Sequence, residues 1–183
     1  MSAQAIEKII ADRGFDCTGK GVAADLEVRE EVRAMCAADR CNMYNASWSC
    51  PPACGDIEDF GKEMRAYTTF MVVQTVAQLE DEFDVEGMME AEATQKDRIY
   101  GLIEDFSDAG LSAEVMVLSS GTCRLCAKCT YPDNPCRFPD KRLVSMEAAG
   151  LVVSDACGMA GIPYNHGQNT LTYSGCVLYN EER

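Results

Sequence analysis

The sequence predicts an α/β fold, with a mixed α+β arrangement as its variant: a small, mostly central sheet of three or more strands flanked by helices, carrying two cysteine-rich metal-binding loops. Three observations predict it. YTTFMVVQTV at 67–76 is rich in β-branched and aromatic residues, as strands are. From Val85 to Asp108 the apolar residues Met88, Met89, Ile99, Leu102, Ile103 and Phe106 keep helical spacing, and Gly110 supplies the stop. AEVMVL at 113–118 reads as a second strand. Strand, helix and strand then form a right-handed crossover, with the two strands parallel and able to sit side by side.

The other elements follow in order. AIEKII near the start and VREEVRAMCA at 28–37 are helical in composition, and residues 1–27 are expected as a peripheral helical segment. Asp56 is placed to cap a short helix carrying Ile57, Phe60 and Met64. Further on, SMEAAG and VVSDACGMAG read as two short helices, closed by Gly150 and by Gly161 with Pro163. TLTYSGCVLY at 170–179 reads as the last strand. There is no repeat and no low-complexity linker. A chain of 183 residues, 47% of them apolar, is expected to form one domain spanning 1–183.

Composition narrows the function classes. The apolar run FMVV is far shorter than a membrane span, and MSAQAIEKIIADRG lacks the basic start and apolar stretch of a signal peptide, so a soluble cytoplasmic protein is expected, with no membrane partner. A formal charge of −14 argues against nucleic acid and suits a freely soluble protein or one that docks to a basic partner. The chain has eleven cysteines, and disulfides do not persist in a reducing compartment. Most of these thiols therefore point to metal.

The cysteines fall into two groups. Cys36, Cys41, Cys50 and Cys54 read C-x4-C-x8-C-x3-C, and Cys123, Cys126, Cys129 and Cys136 read C-x2-C-x2-C-x6-C. Cys17, Cys157 and Cys176 stand apart and are assigned to packing. Three cysteines at two-residue gaps let one irregular turn present three thiolates to one face of a [4Fe–4S] cubane, as in ferredoxins. Structural zinc prefers paired C-x2-C hooks and is the alternative for this group. Arg124 and Arg137, with Lys128, would offset the negative charge of a thiolate-ligated cluster. In the first group Pro51 and Pro52 stiffen the loop behind Cys50. Trp48 either packs over a cofactor or caps the loop as a core residue. His166, the single histidine, is a candidate for touching a cofactor or substrate and equally a satisfied loop residue.

VREEVRAMCAADRCNMYNASWSCPPACG, then GTCRLCAKCTYPDNPCRFPDKRLVSMEAAGLVV, then TYSGCVLY, resemble the cysteine-rich predicted metal-binding proteins grouped as domain of unknown function 2284, over roughly residues 28 to 179. The resemblance implies an intracellular, anaerobe-associated protein with iron–sulfur ligation. It transfers onto Cys36, Cys41 and Cys50 in the first group and onto all four cysteines of the second. The fourth ligand of the first site is Cys54 by spacing or, because the family pattern does not carry over onto Cys54, Cys136 shared between the two groups. The function expected is electron transfer through one or two [4Fe–4S] clusters to a redox protein partner. The alternatives are a cluster with an open iron that acts on a small molecule or in sulfur transfer, and a zinc-stabilised scaffold.

Overall fold

The structure is a computed structural model and describes residues 3–181. Five strands form one open mixed sheet in the order β1-β2-β5-β3-β4. The strands are β1 (Cys17–Val22), β2 (Thr69–Gln78), β3 (Val115–Ser119), β4 (Val144–Ser145) and β5 (Thr170–Tyr179). β5 lies antiparallel to both β2 and β3, β1 pairs antiparallel with β2, and β4 pairs parallel with β3. Five α-helices flank the sheet: α1 (Ala3–Asp12), α2 (Glu30–Ala37), α3 (Ile57–Met64), α4 (Val85–Asp108) and α5 (Val153–Met159). Among the described residues no helix is long and apolar enough to cross a membrane.

β2 is buried along most of its length because core lies on both faces of the sheet, which is why its sequence reads as a nearly continuous apolar run. On one face, Phe70, Val72, Leu118, Cys176 and Leu178 pack with Met64 of α3 and Ala156 and Cys157 of α5. On the other, Met71, Val73, Val177 and Tyr179 pack with Ile6 and Ile10 of α1 and with Ile99, Leu102 and Phe106 of α4. The spacing i, i+4 in α1 and i, i+3, i+7 in α4 puts these side chains on one stripe of each helix.

α4 begins where Asp84 accepts a hydrogen bond from Gly87 N–H at 2.9 Å and ends before Gly110, whose φ of +70° few other residues adopt. It lies close on the sheet at Gly175. A Cβ there would sit 2.8 Å from Ile99 Cδ1 and 2.9 Å from the Leu118 carbonyl oxygen. That contact fixes α4 against the end of β3, where the second cysteine loop begins.

Four expectations are corrected. β2 and β3 are parallel, but β5 lies between them, because the C-terminal strand inserts where the crossover left a gap. The described part of the N-terminal segment, residues 3–27, is not a peripheral helix: α1 buries Ile6 and Ile10, and CTGKGV forms the edge strand β1. SMEAAG forms a strand end and a turn closed at Gly150, whose φ is +90°, in place of a helix. Asp56 occupies the N-cap position of α3 without a side-chain cap hydrogen bond.

Candidate metal centre

The two cysteine loops meet although more than sixty residues separate them. The first, residues 38–56, follows α2, a helix with no buried residue, which carries Cys36 at the loop's edge. Its backbone turns through left-handed conformations at Asp39, Asn42 and Asn45, residue types that tolerate them. The second, residues 120–142, leaves the end of β3. Ser49 joins the two: its hydroxyl accepts from Cys123 N–H at 3.1 Å and lies 3.2 Å from Thr122 Oγ1. The Cys50 thiol is 3.4 Å from the same Thr122 hydroxyl. Trp48 closes the seam. Its indole N–H donates to Asn134 O at 3.0 Å, its carbonyl accepts from Arg142 at 2.9 Å, and its ring meets Tyr131 edge-on with centroids 4.9 Å apart.

Two adjoining cavities result. Cys123, Cys126, Cys129 and Cys136 line one of about 380 Å³, together with Trp48, Arg124 and Arg137. Cys36, Cys41 and Cys50 line the other, of about 420 Å³, with Glu92 as its one acid. Met43, Thr122 and Arg124 belong to both linings, so the sites are neighbours. Cys136 stays with the second group. Cys54, expected as a ligand, lines neither cavity; it is 6% exposed and packs in the apolar core behind the loop. His166 also lines neither. Its Nε2 lies 2.9 Å from Oε1 of the buried Gln74, whose amide nitrogen donates to the Cys157 sulfur and to Pro163 O. Cys17, Cys157 and Cys176 are outside both linings, and all eleven thiols are free.

Sequence reasoning read α4 only as scaffold, but one face of it holds the second loop. Glu92, Lys96, Tyr100 and Glu104 follow at i+4 steps. Glu92 grips Arg124 through both carboxylate oxygens at 2.8 and 2.9 Å. Lys96 donates to Ser119 Oγ at 3.3 Å and to the Ser120 carbonyl. The Tyr100 hydroxyl donates to Cys123 Sγ at 3.5 Å and accepts from Arg124 N–H at 3.0 Å. Glu104 pairs with Lys141 at 2.9 Å. A polar row at helical spacing beside an apolar stripe was the signal available.

Charge at the site follows from these contacts. Lys96 is 3% exposed, and burial pushes its ammonium down to about 8. Burial likewise raises the Cys36 thiol, with Glu147 adding to the effect, and raises Tyr100, with its hydrogen bond to Cys123 adding to the effect. Cys129 moves the other way. Burial alone would raise it, but N–H groups of Tyr131, Trp48 and Thr130 and the Ser47 hydroxyl together favour its thiolate. Thiols ringed around a cavity, with donors aimed at their sulfurs, are the donor set of a soft metal group. They do not close on a point: among the described residues no three His, Cys, Asp or Glu side chains converge closely enough to hold a single ion.

An α/β scaffold that gathers seven thiols on two adjoining cavities defines a cysteine-rich metal-binding class of protein. The chain belongs to the predicted metal-binding protein family grouped as domain of unknown function 2284, whose model matches residues 22–179. No curated protein and no solved structure matches the chain.

Proposed function

We propose that the protein holds two iron–sulfur clusters side by side and passes electrons to or from a partner protein. One observation carries the reading: seven thiols line two adjoining cavities, four on one and three on the other, with Thr122 and Arg124 common to both. Cys123, Cys126, Cys129 and Cys136 would hold one cluster, and Cys36, Cys41 and Cys50 the other. Such a group supplies one-electron exchange at a potential set by hydrogen bonds to sulfur, burial and nearby charge. The chain's own part is to place those donors. Ser49 fixes the Cys123 backbone, Tyr100 reaches the Cys123 sulfur, and N–H groups from Trp48 to Tyr131 surround Cys129.

The sequence spacing also suits a cluster better than zinc: Cys123, Cys126 and Cys129 stand in series at two-residue gaps, whereas structural zinc prefers paired C-x2-C hooks. Free thiols throughout suit a reducing cytoplasm and an anaerobic setting.

The count of three favours a second reading for one site. With Cys54 in the core, the cavity of Cys36, Cys41 and Cys50 leaves one coordination position without a thiolate, beside the Glu92–Arg124 pair. That site is then where a small molecule would bind, and the four-thiol site is its electron relay.

Anaerobic purification, metal analysis and electron paramagnetic resonance of the reduced protein test both readings. About eight irons per chain and two interacting signals are expected for paired cubanes. A folded, colourless, zinc-only protein would sink the proposal, and about four irons would restrict it to one site.

A further inference from the structure

We infer that residues 30–44 form a strap that bound metal closes over the three-thiol cavity, so that metal enters and leaves the protein at this site first. The inference rests on the reading of that cavity as a metal site, and not on which metal it holds or on electron transfer.

The cavity has one fixed wall and one loose one. Cys50 belongs to the fixed wall: Ser49 and Pro51 on either side of it are buried, and its sulfur lies 3.4 Å from Thr122 Oγ1, at the seam with the second loop. Glu92 of α4 and Ser145 of β4 line the same side. Cys36, Cys41, Met43 and Tyr44 form the other wall. All four lie in residues 27–46, a stretch in which no residue is buried. Two of the three thiols therefore sit on chain that contributes nothing to the core.

The strap is tied mainly at its ends. Before it, Arg29 N–H donates to Gly150 O at 2.8 Å and the Arg29 guanidinium pairs with Asp155 at 2.9 Å. After it, Asn45 N–H donates to Pro51 O at 2.8 Å and the Asn45 side chain accepts from the Tyr131 hydroxyl. Between these ends, among the described residues, one side chain bonds to the rest of the molecule: Arg33 donates to Gly55 O at 2.9 Å, with its guanidinium 6.0 Å from the Phe60 ring. Tyr44 N–H bonds to Asp39 Oδ1, within the strap itself. α2 has eight residues, and helices shorter than about 12–15 are marginal in water without packing. A segment with so little burial opens at low free-energy cost. Ligation supplies the missing tie, because a group bound at once to Cys50, Cys36 and Cys41 joins the two walls. Each metal–sulfur bond that forms releases one thiol proton to water. The four-thiol loop is pinned without metal, by Ser49 and Tyr100 at Cys123 and by Trp48 at Asn134. Exchange therefore starts at the three-thiol site.

The test compares the full chain without metal and loaded with Cd2+, a soft, redox-inert cation that thiolates bind, by tryptic digestion and by hydrogen exchange with mass spectrometry. Arg40 is exposed in the middle of the strap, and cleavage after it follows the population of the open form. Loading is expected to slow that cleavage by about tenfold or more. Amides at the end of α2 are expected to exchange at nearly unfolded rates without metal and slowly with it, while β2 and β5 stay protected in both forms. In the double variant Cys36→Ser/Cys41→Ser, cleavage after Arg40 is expected to stay fast in Cd2+. Four results would each overturn the inference: α2 amides already protected in metal-free protein, equal cleavage with and without Cd2+, protection that persists in the double variant, or loss of protection across β2 and β5 without metal, since metal would then hold the whole fold. Protection by Cd2+ in a protein that never takes up iron would keep the strap and remove the electron-transfer reading.

Discussion

Replacing Tyr100 by Phe deletes one hydroxyl from the face of α4 that holds the second cysteine loop. Burial and the bond to Cys123 keep the phenol protonated far above neutral pH, so it acts as a donor to Cys123 Sγ throughout the working range. A hydrogen bond to a charged acceptor contributes about 1.5–3 kcal/mol. With the proposed iron–sulfur cluster bound, the reduced site would carry one more negative charge than the oxidised one, and the bond would be stronger after reduction. A differential of about 1 kcal/mol corresponds to about 40 mV for one electron, given 59 mV per tenfold change. Tyr100→Phe should therefore lower the midpoint potential of the four-thiol site by about 40 mV, equally at pH 7 and pH 9. A potentiometric titration followed by electron paramagnetic resonance measures it. An unchanged or raised potential in a variant with full iron content would refute the reasoning.

Cys50→Ala should lose about half the iron, whereas Cys54→Ala should keep it all and lose about 1–2 kcal/mol of stability by denaturant titration. His166→Ala should leave iron content and spectra unaltered, yet cost about 1–2 kcal/mol because Gln74, fully buried, loses a partner. Lys96→Met tests the buried ammonium in metal-free protein. Its folded value of about 8 lies below the 10.5 of an ordinary lysine, so the wild type carries its full penalty below pH 8 and sheds it as pH rises toward 10.5. Wild-type stability relative to the variant should thus rise by about 3 kcal/mol across that window, and a flat difference would rule it out.

Elements whose own pattern matched their environment were legible in the sequence. α4 lies at Val85–Asp108 and β5 at Thr170–Tyr179, as their spacing indicated, since each buries an uninterrupted stripe or run. β1 was hidden because CTGKGV is an edge strand with alternate residues exposed and two glycines. Its signal is pairing with β2, which lies fifty residues away in sequence. The order of strands was hidden for a related reason. A crossover makes β2 and β3 parallel, but only the packing of both sheet faces decides that β5 sits between them.

At the site, the four cysteines that spacing groups in the second loop line one cavity, because three of them sit two residues apart and a single turn must present them together. The first group divides at Cys54, which lies apart from the cavity of Cys36, Cys41 and Cys50. A gap of three residues after Cys50 looks like a metal hook, yet Cys54 N–H bonds to Cys50 O in a helical turn, and the Cys54 side chain packs in the core. Only depth separates the two thiols, and depth comes from what packs behind the loop. The hydroxyl seam of Ser49 and Thr122 was illegible for a stronger reason: each hydroxyl is ordinary in its own loop, and their meaning arises when residue 49 meets residue 122. α4 makes that meeting specific. Its Glu92, Lys96 and Tyr100 fix the start of the second loop, its Ile99 is locked against Gly175 of β5, and the geometry of the thiols is thereby tied to the core of the sheet.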